Sequence, residues 1–184
     1  MIVLIIVVVV LLLLLVIYPI TIYNGLVNLR NRIENAWSQI DVQLKRRYDL
    51  IPNLVETVKG YASHESETLE AVIAARNAGV SAETPGEQAQ AENMISGALR
   101  QLFAVSEAYP DLKANQSFLN LQEELTATED KIAYARQYYN DQVRTYNTRI
   151  QQFPPVVVAN LFHFEAREFF EADEGDRDTP RVQF

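Results

Sequence analysis

Residues 2–29 carry no charge, and Ile2–Ile17 form an unbroken run of Ile, Val and Leu. A helix made of such residues has no polar face to turn toward water, so it belongs in a bilayer rather than on a soluble core. About 20 such residues rise roughly 30 Å, the thickness of the hydrocarbon layer. No Lys or Arg precedes the run, and the bulky exit Tyr18-Pro19-Ile20-Thr21-Ile22-Tyr23 has no Ala-x-Ala cleavage pattern. Tyr18 and Tyr23 are placed as interfacial aromatics, and Pro19 as a kink or the end of the span. Residues 1–23 are therefore expected to be an uncleaved, single-pass anchor. The first charges beyond it are Arg30 and Arg32. By the positive-inside bias the bulk of the chain is expected in the cytoplasm with Met1 outside.

The remaining residues read as one all-α unit over 24–153, with a separate tail over 154–184. The longest stripe is Phe118, Leu121, Leu125, Thr128, Ile132, Ala135, Tyr139, Val143, Tyr146, Ile150 and Phe153. Its 3–4 spacing over roughly ten turns suits a bundle helix or a coiled coil. Leu26, Leu29, Ile33, Trp37, Ile40 and Leu44 share another face, which places Trp37 in the core. Leu54 to Ile73 suggests a second helix, and Ile95 to Val105 a third. Thr84-Pro85-Gly86-Glu87 is a start signal, with Thr84 as N-cap, Pro85 in the first turn and Glu87 closing a capping box. Tyr109-Pro110 is expected to end the third helix. The join at Asp49-Leu50-Ile51-Pro52 is ambiguous. The apolar phase Ile40, Leu44, Arg47, Ile51, Leu54, Val58 crosses it, yet Asp49 and Pro52 also suit a helix start. No useful strand pattern is present.

Several stretches carry a resemblance. They include Tyr23-Asn24-Gly25-Leu26-Val27, the run Ala36-Trp37-Ser38-Gln39-Ile40-Asp41-Val42-Gln43-Leu44-Lys45-Arg46-Arg47, and Asp49-Leu50-Ile51-Pro52-Asn53-Leu54-Val55-Glu56. Val58–Glu65, Tyr109–Asn115, Leu119–Leu125, Tyr138-Tyr139-Asn140 and the closing Pro180-Arg181-Val182-Gln183-Phe184 add to it. Taken together they resemble the LemA family, prokaryotic proteins with one amino-terminal membrane helix. The resemblance implies an up-and-down four-helix bundle behind the anchor, with a helix break at Asp49–Pro52. It implies membrane localisation in a bacterium or archaeon, and it supplies no catalytic residues. A link of one branch to membrane organelles favours a scaffold by analogy.

Composition excludes several chemistries. There is no Cys, and the two histidines, His64 and His163, stand far apart with no Glu-x-x-His at either. That removes thiol catalysis and the usual zinc and di-iron patterns. The six glycines form no phosphate cradle, and a formal net charge of −8 argues against nucleic acid. No cofactor, metal or catalytic residue is expected.

What remains are candidate interaction residues. Lys45, Arg46 and Arg47 form a basic cluster whose plainer reading is a solvated helix end. A straight helix from Tyr23 puts Lys45 about 30 Å from the bilayer, so a protein partner suits the cluster better than lipid. His64 lies beside Glu65 and Glu67 as a candidate pH-responsive contact, the plainer reading being a polar helix face. Tyr138 lies off the apolar stripe and is a candidate contact, whereas Asn24, Asp41 and Asn140 suit buried links between helices. In the tail, Phe162, Phe164, Phe169 and Phe170 either dock on the bundle or await a partner, with His163 a packed or interfacial ring. The acidic stretch Glu171–Asp178 reads as disordered, and the Val182-x-Phe184 terminus as a peptide for a sheet edge or carboxylate pocket.

The expected function is a non-catalytic scaffold or interaction module at a prokaryotic membrane. Its partners are the bilayer through residues 2–23, unidentified membrane-associated proteins and a second copy of the chain. The alternative is an envelope-stress or signal sensor. An enzyme built from carboxylates and tyrosines alone would need a pocket where they converge.

Overall fold

The computed structural model describes residues 1–171. Among them the elements are α1 (Ile2–Lys59), α2 (Ser66–Ser81), α3 (Pro85–Ser106), α4 (Pro110–Lys113), α5 (Gln116–Gln151) and α6 (Pro155–Leu161). No strand occurs among the described residues. The all-α expectation therefore holds. The acidic stretch beyond Glu171 and the Val182-x-Phe184 terminus lie outside the described residues.

The expected break at Asp49–Pro52 is absent, because α1 runs through both Pro19 and Pro52 to Lys59. Pro52 has no N–H to give to the carbonyl of residue 48, one turn earlier. Arg76 of α2 gives its Nε–H instead, at 2.9 Å, so the proline leaves no orphaned acceptor. The chain turns over Gly60–Glu65, closed by the N–H groups of Tyr61 and Ala62 on the Val58 carbonyl at 2.9 and 2.8 Å. Gly60 is the poorer helix former of this region once the proline is accommodated. The second helix read from Leu54 to Ile73 is thus two helices.

Other boundaries follow local chemistry. The capping box at the start of α3 is complete: Thr84 Oγ1 accepts from the Glu87 N–H at 3.2 Å, and the Glu87 carboxylate accepts from the Thr84 N–H at 3.2 Å. The third helix ends at Ser106, short of the expected Tyr109–Pro110, where Pro110 instead opens α4. Asn115 Oδ1 accepts from the Phe118 N–H at 3.0 Å, an N-cap for α5.

The chain divides into two compact units. One comprises Met1–Ser38 and Gln137–Glu168. Its core joins Ile22, Leu26, Ile33 and Ala36 of α1 to Tyr139, Val143, Tyr146 and Ile150 of α5, with Val158 and Ala159 of α6. Trp37 is half-buried against the Tyr139 ring, with centroids 5.4 Å apart. The aliphatic residues Ile2–Ile17 are all exposed, and the helix that carries them is long and apolar enough to cross a membrane.

The other unit comprises Gln39–Arg136 and, of the described tail residues, Phe169, Phe170 and Glu171. Ile40, Leu44, Ile51, Leu54 and Val58 of α1 face inward with Leu69 and Val72 of α2. Ile95, Leu99 and Leu102 of α3 and Phe118, Leu125 and Ile132 of α5 complete this core, and Phe170 is buried in it as well. Gly79 is required for the close approach of α2 to α1, since a Cβ there would stand 2.6 Å from the Tyr48 hydroxyl oxygen and 2.9 Å from Cζ. Asn24 and Asp41, expected as buried links, are exposed, and Asn140 is half-buried. The polar links of the fold are built from other residues.

Candidate functional site

The densest polar arrangement lies in the second unit and is centred on Arg47, which is only 1% exposed. Its position on the apolar phase of α1 turns the guanidinium inward. Arg47 Nη1 donates to Glu92 Oε2 of α3 at 2.7 Å, and Nη2 donates to Glu129 Oε2 of α5 at 2.8 Å. Ser96 Oγ accepts from Arg47 Nη2 at 2.9 Å and donates to Glu129 Oε1 at 2.8 Å. Beside Arg47, the Tyr48 hydroxyl donates to Glu92 Oε1 and accepts from Gln88 Nε2 at 2.5 Å. Charged groups of this kind survive burial only when paired and hydrogen-bonded. Among the buried side-chain atoms of this cluster, Arg47 Nε is left without a partner in the described residues.

This arrangement is suited to fixing three helices in register rather than to moving protons. Burial, with the hydrogen bond to Glu92 next, pushes the Tyr48 hydroxyl far above the ordinary tyrosine range. A general acid or base works best when its pKa is near the operating pH, and this shift runs the opposite way. A cleft of about 360 Å³ borders Tyr48 and Gln88, lined also by Asp41, Lys45, Asp49 and Arg76. Glu92 is not among its lining residues, so the carboxylate held by Arg47 does not face it. No group of three or more His, Cys, Asp or Glu side chains that could hold a metal ion occurs among the described residues.

A second cluster belongs to the first unit and begins just beyond the aliphatic run. α6 ends in a left-handed residue, His163 (φ 54°), which reverses the chain. The Phe164 N–H bonds back to the Ala159 carbonyl at 2.9 Å, and the His163 N–H to the Asn160 carbonyl at 3.4 Å. That is the Schellman pattern, here with His in the place glycine usually takes. It throws Phe162 and Phe164 onto Tyr23, with ring centroids at 4.8 and 5.5 Å in edge-on geometry. Arg30 lies 5.8 Å from the Phe164 ring centroid. The segment after the turn is strapped to α5: Asn147 donates to the Arg167 carbonyl and accepts from its N–H, both at 2.8 Å, and the Tyr139 hydroxyl donates to the Glu168 carbonyl at 2.9 Å. Burial raises the Tyr139 and Tyr146 hydroxyls, and Arg167 opposes the shift at both.

The residues singled out by sequence are dispersed between these places. Lys45 and Arg46 are exposed, and Arg46 Nη2 reaches Glu124 Oε2 at 3.3 Å in an exposed pair of little energetic weight. Arg47 is the correction: it is a buried structural cation and presents nothing to a partner. His64 is exposed in the turn between α1 and α2, and Tyr138 is 41% exposed on α5. Phe162 is exposed, Phe164 and Phe169 are half-buried, and Phe170 is buried and so unavailable to a partner. Phe184 lies outside the described residues. Sequence reading misses Tyr48, Gln88, Glu92, Ser96 and Glu129. The available signal is Arg47 itself, a charge in step with Leu44 and Ile51.

Known proteins resemble this chain over most of its length. The family model described as the LemA family matches residues 36–184. The chain is 32% identical over 158 residues to Protein LemA of Metamycoplasma hominis, an alignment covering 84% of this chain and 71% of that one. It is 26% identical over 186 residues to Magnetosome protein MamQ 2 of Paramagnetospirillum magneticum, covering 87% of this chain and 68% of the relative. Magnetosome protein MamQ of Magnetospirillum gryphiswaldense is 25% identical with the same coverage. The resemblance carried by the sequence motifs is thereby established, and the chain belongs to the LemA family.

Proposed function

We propose that this protein is a non-catalytic, membrane-anchored helical module that organises other proteins at a prokaryotic membrane. The observation that carries the reading is α1: one helix, Ile2–Lys59, contains both the exposed aliphatic run and the buried Arg47. In this reading residues 1–23 cross the bilayer once, with Met1 outside and the remainder in the cytoplasm, as Arg30 and Arg32 favour. Residues 24–153 form the bundle and 154–184 its tail. The segments of α1, α2, α3 and α5 in the second unit serve as an up-and-down four-helix bundle. The names of the relatives support a role of place rather than reaction, since they name a family and an organelle. The paired state of the buried cluster supports the same reading.

The positions offered to partners, whether membrane-associated proteins or a second copy of the chain, are Lys45, Arg46 and His64 in the second unit and, separately, Tyr138 in the first, all of them exposed. Photo-crosslinkers at Lys45 and Tyr138 in native membranes are expected to give a few discrete adducts. A smear of abundant neighbours from both positions overturns the scaffold reading. Compartment reporters fused at Phe184 test the orientation, and signal from the outer face reverses it.

A further inference from the structure

The exposed apolar side chains of the first unit do not stop at the end of the anchor. Beyond Tyr23, α6 and its flanks present Phe153 (82% exposed), Val157 (59%), Leu161 (70%) and Phe162 (53%). These four are not scattered along the chain but fall within residues 153–162, on α6 and its two flanks, an arrangement water does not favour. Phe162 itself packs edge-on against Tyr23. Whatever depth Tyr23 occupies, Phe162 shares it. Aromatic residues at the end of a span sit at the headgroup boundary, where one edge is apolar and the other wet.

Above this layer lies a cation. Arg30 follows Tyr23 by two turns of α1, close to the same face and about 10 Å further along the axis. Helical side chains lean toward the amino terminus, so the Arg30 guanidinium leans back toward the aromatic layer, consistent with its place 5.8 Å from the Phe164 ring. Among the described residues Arg30 has no carboxylate partner within ion-pair distance, whereas Arg167 reaches Glu34 Oε1 at 3.8 Å. Arg30 and Arg167 line a cleft of about 180 Å³ with Tyr146, His163, Phe164 and Glu165.

We propose that the α6 turn is a second membrane contact, with Phe153, Val157, Leu161 and Phe162 entering the lipid interface and Arg30 taking a phospholipid phosphate. The occupant is the lipid surface because the patch continues the anchor through Tyr23, with a cation placed one headgroup layer above. The proposal rests on residues 1–23 being the anchor. The Asn147 and Tyr139 bonds to the Arg167–Glu168 segment hold the turn in place, so it meets lipid as a preformed surface with little ordering left to do.

The chain has no Cys, so single labels are unambiguous. Full-length protein carrying a nitrobenzoxadiazole label at Leu161→Cys or Tyr18→Cys would be reconstituted in phosphatidylglycerol and phosphatidylethanolamine vesicles containing nitroxide-bearing lipid. Quenching at both positions is the expected result. Quenching at Tyr18 with a water-exposed label at Leu161 overturns the second contact and leaves the anchor standing. A water-exposed label at both removes the anchor as well. Arg30→Gln is expected to lower the immersed population at Leu161 about fivefold, with Arg30→Lys restoring most of it. An unchanged Leu161 signal in Arg30→Gln, or full displacement by free inorganic phosphate, overturns the lipid-phosphate role.

Discussion

Arg76 of α2 donates its Nε–H to the main-chain carbonyl of Tyr48 in α1 at 2.9 Å, standing in for the N–H that Pro52 lacks. A proline in a helix interior is ordinarily a break, because it both removes a hydrogen bond and crowds the preceding turn. Here a side chain from the neighbouring helix meets the backbone need. Arg76→Ala is therefore expected to destabilise the protein by about 1–2 kcal/mol. In a Pro52→Ala background the main-chain N–H restored by the substitution serves the same carbonyl, so the cost of Arg76→Ala should shrink. A double-mutant cycle by thermal melting checks this, and full additivity would refute it.

Gly79 faces the Tyr48 ring with no room for a methyl group. Tyr48 cannot simply swing aside, since its hydroxyl is held by Glu92 and Gln88. Gly79→Ala should destabilise by about 1–3 kcal/mol through overpacking. Tyr48→Phe removes only the outermost atom and leaves Cζ at 2.9 Å, so it should rescue incompletely. Denaturant melts of the single and double variants give the comparison.

Arg47 serves two carboxylates of unequal exposure: the Glu92 side chain is 7% exposed and that of Glu129 is 48%. Arg47→Met strands Glu92 in the core, and a loss of about 3–5 kcal/mol is expected. Glu129→Gln should cost far less, because its partner keeps Glu92 and its own replacement can reach water. The paired change Arg47→Met with Glu92→Leu should recover much of the loss. Equal melting points for Arg47→Met and Glu129→Gln would contradict this ordering.

High pH should expose the burial of Tyr48. Its hydroxyl is raised above the ordinary value of 10.0, chiefly by burial and then by Glu92. A group whose folded pKa is raised adds stability that is fully present below its unfolded pKa and lost as pH climbs toward the folded one. Stability should therefore fall from about pH 10 upward, faster in the native protein than in Tyr48→Phe. Tyr139 and Tyr146 act in the same direction, so a slope remains in the variant. Tyrosinate absorbance followed alongside helical circular dichroism would test it, and identical alkaline melting in the two proteins would refute it.

How far the fold can be read from sequence depends on whether the cause is local. Thr84, Pro85 and Glu87 announce a helix start through bonds made within four residues, and that start is where they place it. The α5 stripe is equally plain, with Leu125, Ile132, Tyr139 and Tyr146 all buried, though its last member, Phe153, proves exposed. The Pro52 question is not local, because its answer lies in Arg76 on another helix. Arg47 misleads for a related reason: its phase points inward, but only Glu92 and Glu129 make an inward charge tolerable, and they are distant in sequence. The α6 turn is visible as apolar composition, while its tie to Tyr23 requires the reversal at His163.

The order in which the chain leaves the ribosome gives the Arg47 cluster a further meaning. Arg47 emerges first, Glu92 follows with α3, and Glu129 comes last with α5. The more deeply buried carboxylate is thus on hand before the more exposed one, and the cation need not wait for the final helix to be neutralised. Both residues of the inner pair are therefore present in a nascent chain that ends after α3, before any of α5 has been made.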